Sequence, residues 1–141
     1  AATLVNLGVI RMRDGRYDQA LQDYADAIDL NSTLGAAYLN QGAAHIYVRD
    51  YPAAIASLDR AIDLDSKDLF AAYYNRAIAR EGTGDVTGAY FDLKKAHELK
   101  PEWEHAEKQM RGLTVEENGI KPHKRHPIRF QTPRRRCVWR G

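Results

Sequence analysis

The stretch LVNLGVIRMRDGRYDQALQDYADAIDL, residues 4–30, decides the fold because related stretches recur twice further along the chain. YLNQGAAHIYVRDYPAAIASLDRAIDL begins 34 residues later at Tyr38, and YYNRAIAREGTGDVTGAYFDLKKAHEL begins 35 residues after that at Tyr73. The three copies align without an internal gap, and the extra residue of the second interval falls in the linker near Leu69. A period of this length predicts a solenoid of stacked repeat units.

Each copy predicts two helices, because apolar residues recur at helical spacing and a turn-forming sequence divides the copy in two. Small residues recur at positions where paired helices must approach closely, which are Gly8, Gly42, Ala77, Ala20, Ala54 and Ala89. The predicted helices cover residues 2–14, 17–30, 36–48, 51–64, 70–82 and 86–99. One hairpin cannot bury its apolar face alone, so neighbouring hairpins are expected to stack.

A seventh helix is predicted over residues 102–113, where Trp103, Ala106, Met110 and Leu113 form one apolar stripe. We expect it to close the last hairpin, with Trp103 as a packing residue rather than a ligand-stacking one. The first hairpin has no such cover before it. We therefore expect either further repeats before it in a parent protein or self-association through this uncapped N-terminal hairpin.

The pattern of landmarks resembles the tetratricopeptide repeat family over residues 1–113, in repeats of about 1–34, 35–69 and 70–101. Only Pro101 supplies the family's proline, and Ser32 and Ser66 replace it in the first two units. The resemblance implies an all-α fold, a right-handed α–α superhelix of three hairpins with a capping helix. It also implies a non-catalytic interaction module that binds a protein or peptide in the concave groove of the superhelix.

In that family, positions on the first helix of each repeat face the groove. The candidate groove residues are Asn6, Val9, Arg13, Leu39, Asn40, Ala43, Tyr47, Tyr74, Asn75 and Ile78. The remaining wall positions are Ala2, Val5, Met12, Ala36, Ile46, Ala71, Glu81 and Gly82. A small, apolar wall with a row of asparagines predicts an extended or helical peptide ligand with apolar side chains. The alternative for the asparagines is a structural role between hairpins, and both roles can coexist.

Chaperone-adaptor members of the family hold an acidic C-terminal peptide with a clamp of lysines, asparagines and an arginine. At the matching positions this chain has Val5, Val9, Asn40, Ala71 and Asn75, so only Asn40 agrees. Without cations the attraction for carboxylates is lost. The sequence therefore argues against a chaperone-tail adaptor.

The composition is that of an ordinary globular domain, with 44% hydrophobic and 28% charged residues among 141. Cys137 is the single cysteine, which excludes an internal disulfide and favours the cytoplasm, although a bacterial periplasm fits as well. No histidine belongs to an H-E-x-x-H motif, and packing explains His45. We expect no catalytic residues, no cofactor and no metal, since His123, His126 and Cys137 would make a poor metal site.

The last residues, 114–141, lose the helical period and are basic. They carry 8 Lys/Arg and 2 Asp/Glu, whereas residues 1–113 carry 13 and 17. Three interpretations stay open for this tail: a flexible or non-native extension, an arm that contacts nucleic acid or an acidic membrane, and a segment docked on the protein. The favoured function is a protein interaction scaffold, and the alternative is a nucleic-acid-associated protein that uses the tail.

Overall fold

The computed structural model describes residues 1–111, 113–116 and 119–122. Its helices are α1 (Ala2–Arg13), α2 (Tyr17–Leu30), α3 (Gly35–Tyr47), α4 (Tyr51–Asp63), α5 (Leu69–Gly82), α6 (Val86–Leu99) and α7 (Glu104–Arg111). Two short antiparallel strands follow, β1 (Leu113–Glu116) and β2 (Gly119–Pro122), in a register that pairs Leu113 with Pro122 and Glu116 with Gly119. The rest of the predicted basic tail, residues 117, 118 and 123–141, lies outside the described residues.

The helices pack in chain order, as a solenoid requires. Each pair α1–α2, α3–α4 and α5–α6 forms a hairpin, and the α2–α3 and α4–α5 contacts stack one hairpin on the next. Helix α7 packs on α6, and β2 also lies against α6. The predicted all-α superhelix with a closing helix is thus confirmed, but the closing helix is shorter than the predicted range 102–113. Leu113, predicted to belong to its apolar stripe, lies instead in β1 of a strand hairpin that was not predicted. Within the part of the chain described, no helix combines the length and apolar character needed to cross a membrane.

The turns inside the three hairpins share one backbone feature. Gly15, Arg49 and Gly84 occupy the same repeat position, and all three have positive φ, at 76°, 62° and 87°. The helices that follow the second and third turns are capped by carboxylates, since Asp50 accepts from the Ala53 N–H and Asp85 from the Gly88 N–H. The turn-forming residues of the sequence therefore fix where each second helix begins.

Glycine at the eighth repeat position lets the two helices of a hairpin meet. A Cβ atom on Gly8 would lie 2.5 Å from Cε1 of Tyr24, and one on Gly42 would lie 2.6 Å from Cγ of Leu58. Tyr24 and Leu58 are both fully buried. The missing side chain on one helix is thus matched by a large one on its partner, and this pair sets the register of the first two hairpins.

Gly42→Ala is expected to destabilise the protein by about 1–2 kcal/mol, because moving Leu58 costs more than the helix propensity that alanine gains. Chemical unfolding followed by far-ultraviolet circular dichroism measures this. The matched control is Ala77→Gly at the same position of the third hairpin, where a Cβ is already accommodated. That variant should lose about 1 kcal/mol or more, through backbone entropy and the loss of one buried methyl group. A more stable Gly42→Ala variant would show that the second hairpin is not closely packed here.

Candidate functional site

The inner wall predicted from the sequence is carried by α1, α3 and α5, of which α3 contacts both neighbours. The ten candidate groove residues differ in their exposure to solvent. Asn6 and Arg13 are exposed and Tyr47 is half-buried. The other seven are buried, namely Val9, Leu39, Asn40, Ala43, Tyr74, Asn75 and Ile78. The wall is therefore mostly packed surface, and its contact with a ligand stays a prediction.

Two members of the asparagine row, Asn40 and Asn75, have no exposed surface, whereas Asn6 is exposed. A buried amide is costly unless its donors and acceptors are satisfied, so side chains in such positions are generally part of the packing. This burial favours the structural interpretation for Asn40 and Asn75. It leaves Asn6 as the member of the row that a ligand could reach directly.

Tyr47 lies near the other end of α3 and is positioned by an aromatic neighbour. Its ring stacks on that of Tyr17 from α2, with centroids 5.3 Å apart and planes inclined by 26°. One face of the Tyr47 ring is therefore used to join the first two hairpins. This stacking reduces the aromatic surface of Tyr47 that was predicted to contact a ligand.

An apolar cavity of about 390 Å³ opens at the end of the wall where α3 and α5 begin. Its wall residues from the inner helices are Ala2, Val5, Asn6, Ala36 and Leu39, all at positions that the sequence predicts to face the groove. Leu34 and Gly35 and the α4–α5 linker, residues 65–68, complete the lining. The cavity thus joins a predicted wall to a linker that the prediction did not include.

The α4–α5 linker gives the cavity its charged edge. Asp65, Lys67 and Asp68 all line the opening, so the edge carries one net negative charge. Asp65 has a positive φ of 50°, which is uncommon for a residue other than glycine and turns the chain sharply after α4. The sequence signal for this feature is the extra residue of the second repeat interval, which falls in the same linker.

Ion pairs hold the inner helices to the outer ones in the first and third hairpins. Arg11 of α1 donates to Asp23 of α2 at 2.7 Å. In the third hairpin, Arg76 donates through two nitrogens to Asp92 of α6 at 2.8 and 2.9 Å, and Arg80 donates to the same carboxylate at 2.8 Å. These contacts orient the helices that carry the wall.

Arg76 also reaches the preceding hairpin, since it donates to Asp59 of α4 at 2.8 Å. Burial alone would lower the pKa of Arg76, but the hydrogen bonds and charges of Asp92 and Asp59 raise it above its ordinary value. The guanidinium therefore stays charged in its half-buried position. It ties three helices, α4, α5 and α6, to one another.

The second hairpin has a neutral pair in place of this ionic one, because Ser57 donates to the Gln41 side chain at 2.9 Å. His45 occupies the position of Arg11 and Arg80. Burial lowers the pKa of His45, and the charge of Asp50 offsets part of this effect. A half-buried neutral histidine agrees with the packing role predicted for it.

Across the described ranges, no group of three or more His, Cys, Asp or Glu side chains is placed to hold a metal ion. The sequence candidates His123, His126 and Cys137 lie outside those ranges.

The C-terminal end of the solenoid is closed by Trp103, which precedes α7. Its ring meets Tyr74 and Phe70 of α5 edge-on, with centroid distances of 4.5 and 5.3 Å. Trp103 and Met110 pack on the same core as Ala106, which is fully buried. The packing role predicted for Trp103 is confirmed.

The opposite end of the solenoid is apolar and open among the described residues. Leu7 and Ile10 on α1 are 37% and 54% exposed. At the repeat position of Ile10, the following inner helices have Ala44 and Ala79, which are both buried. Self-association through this hairpin stays a prediction, and these two side chains are where it would occur.

Hairpins of two helices that stack in one direction, with an inner wall and a closing helix, define the class of α-helical solenoids. Models of the tetratricopeptide repeat match the chain at residues 3–35 and 35–68. Residues 3–68 are thus two tetratricopeptide repeats, and the α5–α6 hairpin adds a third unit of the same form.

Other proteins are similar to this chain in sequence or structure over the repeats. The human serine/threonine-protein phosphatase 5 is 32% identical over 85 residues, which are 60% of this chain and 17% of that protein. The chain thus spans only about a sixth of the length of this relative. A solved MamA structure is 28% identical with a TM-score of 0.71, and the match covers 77% of this chain and 63% of MamA.

A third similar structure has its ligand bound. It is described as the first tetratricopeptide domain of Spaghetti (RPAP3) bound to the HSP90 peptide SRMEEVD. It has a TM-score of 0.75 and 23% identity, over 78% of this chain and 86% of that one. This likeness concerns the fold. Together, the comparisons identify a stack of tetratricopeptide repeats.

Proposed function

We propose that this chain binds a peptide segment of another protein at its inner wall, with the cavity between α1, α3 and the α4–α5 linker as the main contact. The observation that carries the proposal is the cavity itself, about 390 Å³ in volume and lined by Ala2, Val5, Ala36 and Leu39. A concave apolar site of this size with a few polar groups at its edge is the usual form of a ligand site.

The lining indicates which peptide fits. Aliphatic side chains provide the apolar part of the surface, and Asn6 offers an amide that can donate to and accept from a peptide backbone. The edge formed by Asp65, Lys67 and Asp68 is net negative. The preferred ligand is therefore a segment with an apolar side chain flanked by neutral or basic residues rather than acidic ones.

The clamp positions support the same preference. Val5, Val9 and Ala71, which stand where chaperone adaptors have cationic or amide side chains, are buried within the wall. A lysine or arginine could not replace them without burying a charge. The wall therefore offers no cation to a C-terminal carboxylate at these positions.

The peptide SRMEEVD, which the RPAP3 domain binds, is expected to show no saturable binding to this chain at concentrations up to about 1 mM. Its two glutamates and its C-terminal carboxylate meet no clamp and face an acidic cavity edge. Isothermal titration calorimetry with the RPAP3 domain as the positive control makes the measurement. Micromolar binding to this chain would show that a carboxylate site has been overlooked.

The proposal is tested by selecting 12-residue peptides from a random phage-displayed library on the full chain. Enriched sequences should combine an aliphatic residue with nearby Lys or Arg. A selected peptide should bind Ala36→Trp at least about 10-fold more weakly, because the indole fills the cavity and removes about 1.4 kcal/mol or more of binding free energy. Fluorescence anisotropy of the labelled peptide gives both affinities.

The matched control is Ala56→Trp. Ala56 is also an exposed alanine, but it lies on the outer helix α4 and not in the cavity lining. This variant should bind the selected peptides with unchanged affinity. Equal effects of the two substitutions, or none from Ala36→Trp, would place the binding surface elsewhere.

Nothing in the described residues favours the nucleic-acid alternative. Most of the basic residues on which it depends, from Lys124 onward, lie outside them. The phosphatase activity of the longer relative is likewise not proposed for this chain, because the shared part covers only 17% of that protein.

A further inference from the structure

We propose that residues 123–141 of this chain bind the cavity and inner wall of the same molecule, as an intramolecular ligand that competes with external peptides. The inference rests on the proposed function of the cavity and names a first occupant for it. Binding of this segment would lower the affinity of the cavity for external peptides.

The chemistry of the segment matches what the cavity selects. Residues 123–141 contain seven Lys or Arg residues and no Asp or Glu. They also contain four large apolar side chains, Ile128, Phe130, Val138 and Trp139, all of which have Arg residues close by. An apolar side chain next to a cation is the combination that an apolar cavity with Asp65 and Asp68 at its edge accommodates.

The place where the described chain ends allows the contact. Strand β2 ends at Pro122 and lies against α6, in the last hairpin of the stack. Nineteen residues follow, and an extended chain spans up to about 3.3 Å per residue, or about 60 Å. Inner helices that pack about 8–10 Å apart make a three-hairpin wall roughly 30 Å wide. The segment is therefore long enough to reach the cavity beside α1.

Because the segment is part of the same chain as the cavity, even a weak affinity is enough for it to occupy the cavity. A segment joined to its site by a short flexible connection has an effective concentration in the millimolar range. Binding that would be negligible between separate molecules at micromolar concentration then occupies the site most of the time. Because the attraction includes exposed charges, occupancy should fall as salt is raised above about 0.1 M.

The sequence supplies its own probe, since Cys137 is the only cysteine in the chain and lies within the proposed ligand. A nitroxide spin label attached to Cys137 of the full chain broadens the amide signals of nearby residues. We expect strong intensity loss at Ala36, Leu39 and Asp68 around the cavity. Signals of Ala56 and other residues on the outer helix α4 should keep their intensity.

Charge substitutions provide the matched comparison. Asp65→Asn combined with Asp68→Asn should restore most of the lost intensity at Ala36 and Leu39. Asp26→Asn combined with Asp29→Asn removes the same charge from the outer helix α2 and should restore none. Asp68 makes no side-chain capping bond to α5, so its substitution leaves the helix start intact.

A mixed sample separates the two ways in which the segment could bind. It contains isotope-labelled protein without the nitroxide and unlabelled protein with it. Broadening at the cavity in this sample would mean that the segment of another molecule fills the site. That result overturns the intramolecular proposal and leaves the peptide-binding function standing.

Absence of broadening at the cavity in the singly labelled chain, or broadening confined to the outer helices, also overturns the proposal. The proposed function is judged separately by the loss of selected-peptide binding in Ala36→Trp. The two hypotheses can therefore fail independently.

Discussion

Asp92→Ala is expected to lower the free energy of unfolding by about 3 kcal/mol, the cost of removing one partner from a buried ion pair. The Asp92 side chain is only 5% exposed and accepts from both Arg76 and Arg80. Without it, two guanidinium groups lose their shared carboxylate while remaining partly buried, since their side chains are 15% and 26% exposed. Urea unfolding followed by circular dichroism measures the loss.

Asp59→Ala serves as the control for this substitution. Asp59 pairs with the same Arg76 at 2.8 Å, but its side chain is 49% exposed. Water can replace the lost partner there, so the expected cost is about 1 kcal/mol or less. If the two variants lost equal stability, the burial of Asp92 would not be what makes its ion pairs important.

Trp103→Ala is expected to destabilise the protein by about 3 kcal/mol and to detach α7 from the last hairpin. The substitution removes both edge-on contacts of the indole with α5, the one with Tyr74 and the one with Phe70. Thermal unfolding measures the stability. Hydrogen exchange of the amides in α5 and α7 should also rise, because the end of the solenoid is opened.

Phe91→Ala tests whether this effect is specific. Phe91 is another large aromatic residue of the third hairpin, but it is 57% exposed, so its truncation should change stability by no more than about 0.5 kcal/mol. Trp103→Phe should recover part of the stability lost in Trp103→Ala. A loss below about 1 kcal/mol in Trp103→Ala would contradict the closing role.

Much of the fold could be predicted from the sequence because the repeat supplies three independent copies of one pattern. The helix bounds agree within one or two residues for α1 to α6. The turns at Gly15 and Gly84 follow from residue types that tolerate positive φ. Arg49 at the equivalent position shows that the fold imposes this conformation where the local sequence does not favour it.

The β1–β2 hairpin was missed, although the sequence contains a signal for it. Asn118 and Gly119 are residue types that favour turns, and Thr114, Val115 and Ile120 are β-branched. By the criterion of helical period, Gly119 is only a helix breaker. Short strands outside the repeat have to be predicted from turn residues and β-branched residues, not from helical period.

The site was less predictable than the fold. The position of a residue in the repeat predicts whether it lies on the inner wall. It does not predict solvent exposure, because exposure depends on how closely successive inner helices approach each other. Asn40 and Asn6 illustrate this, since they share one repeat position and are respectively buried and exposed. The loop residues of the cavity were missed because loops lie outside the repeat pattern.

The backbone turn at Asp65 lies in a connecting segment whose length affects which ligands such a solenoid can bind. The linker that carries it is the place where the repeat interval lengthens by one residue, and this linker completes the cavity. Insertion or deletion at a surface connection disturbs a stack of hairpins far less than a substitution within the packed wall. Recognition could therefore diversify through the length of a connecting segment while the helices, and the stability they provide, remain unaltered.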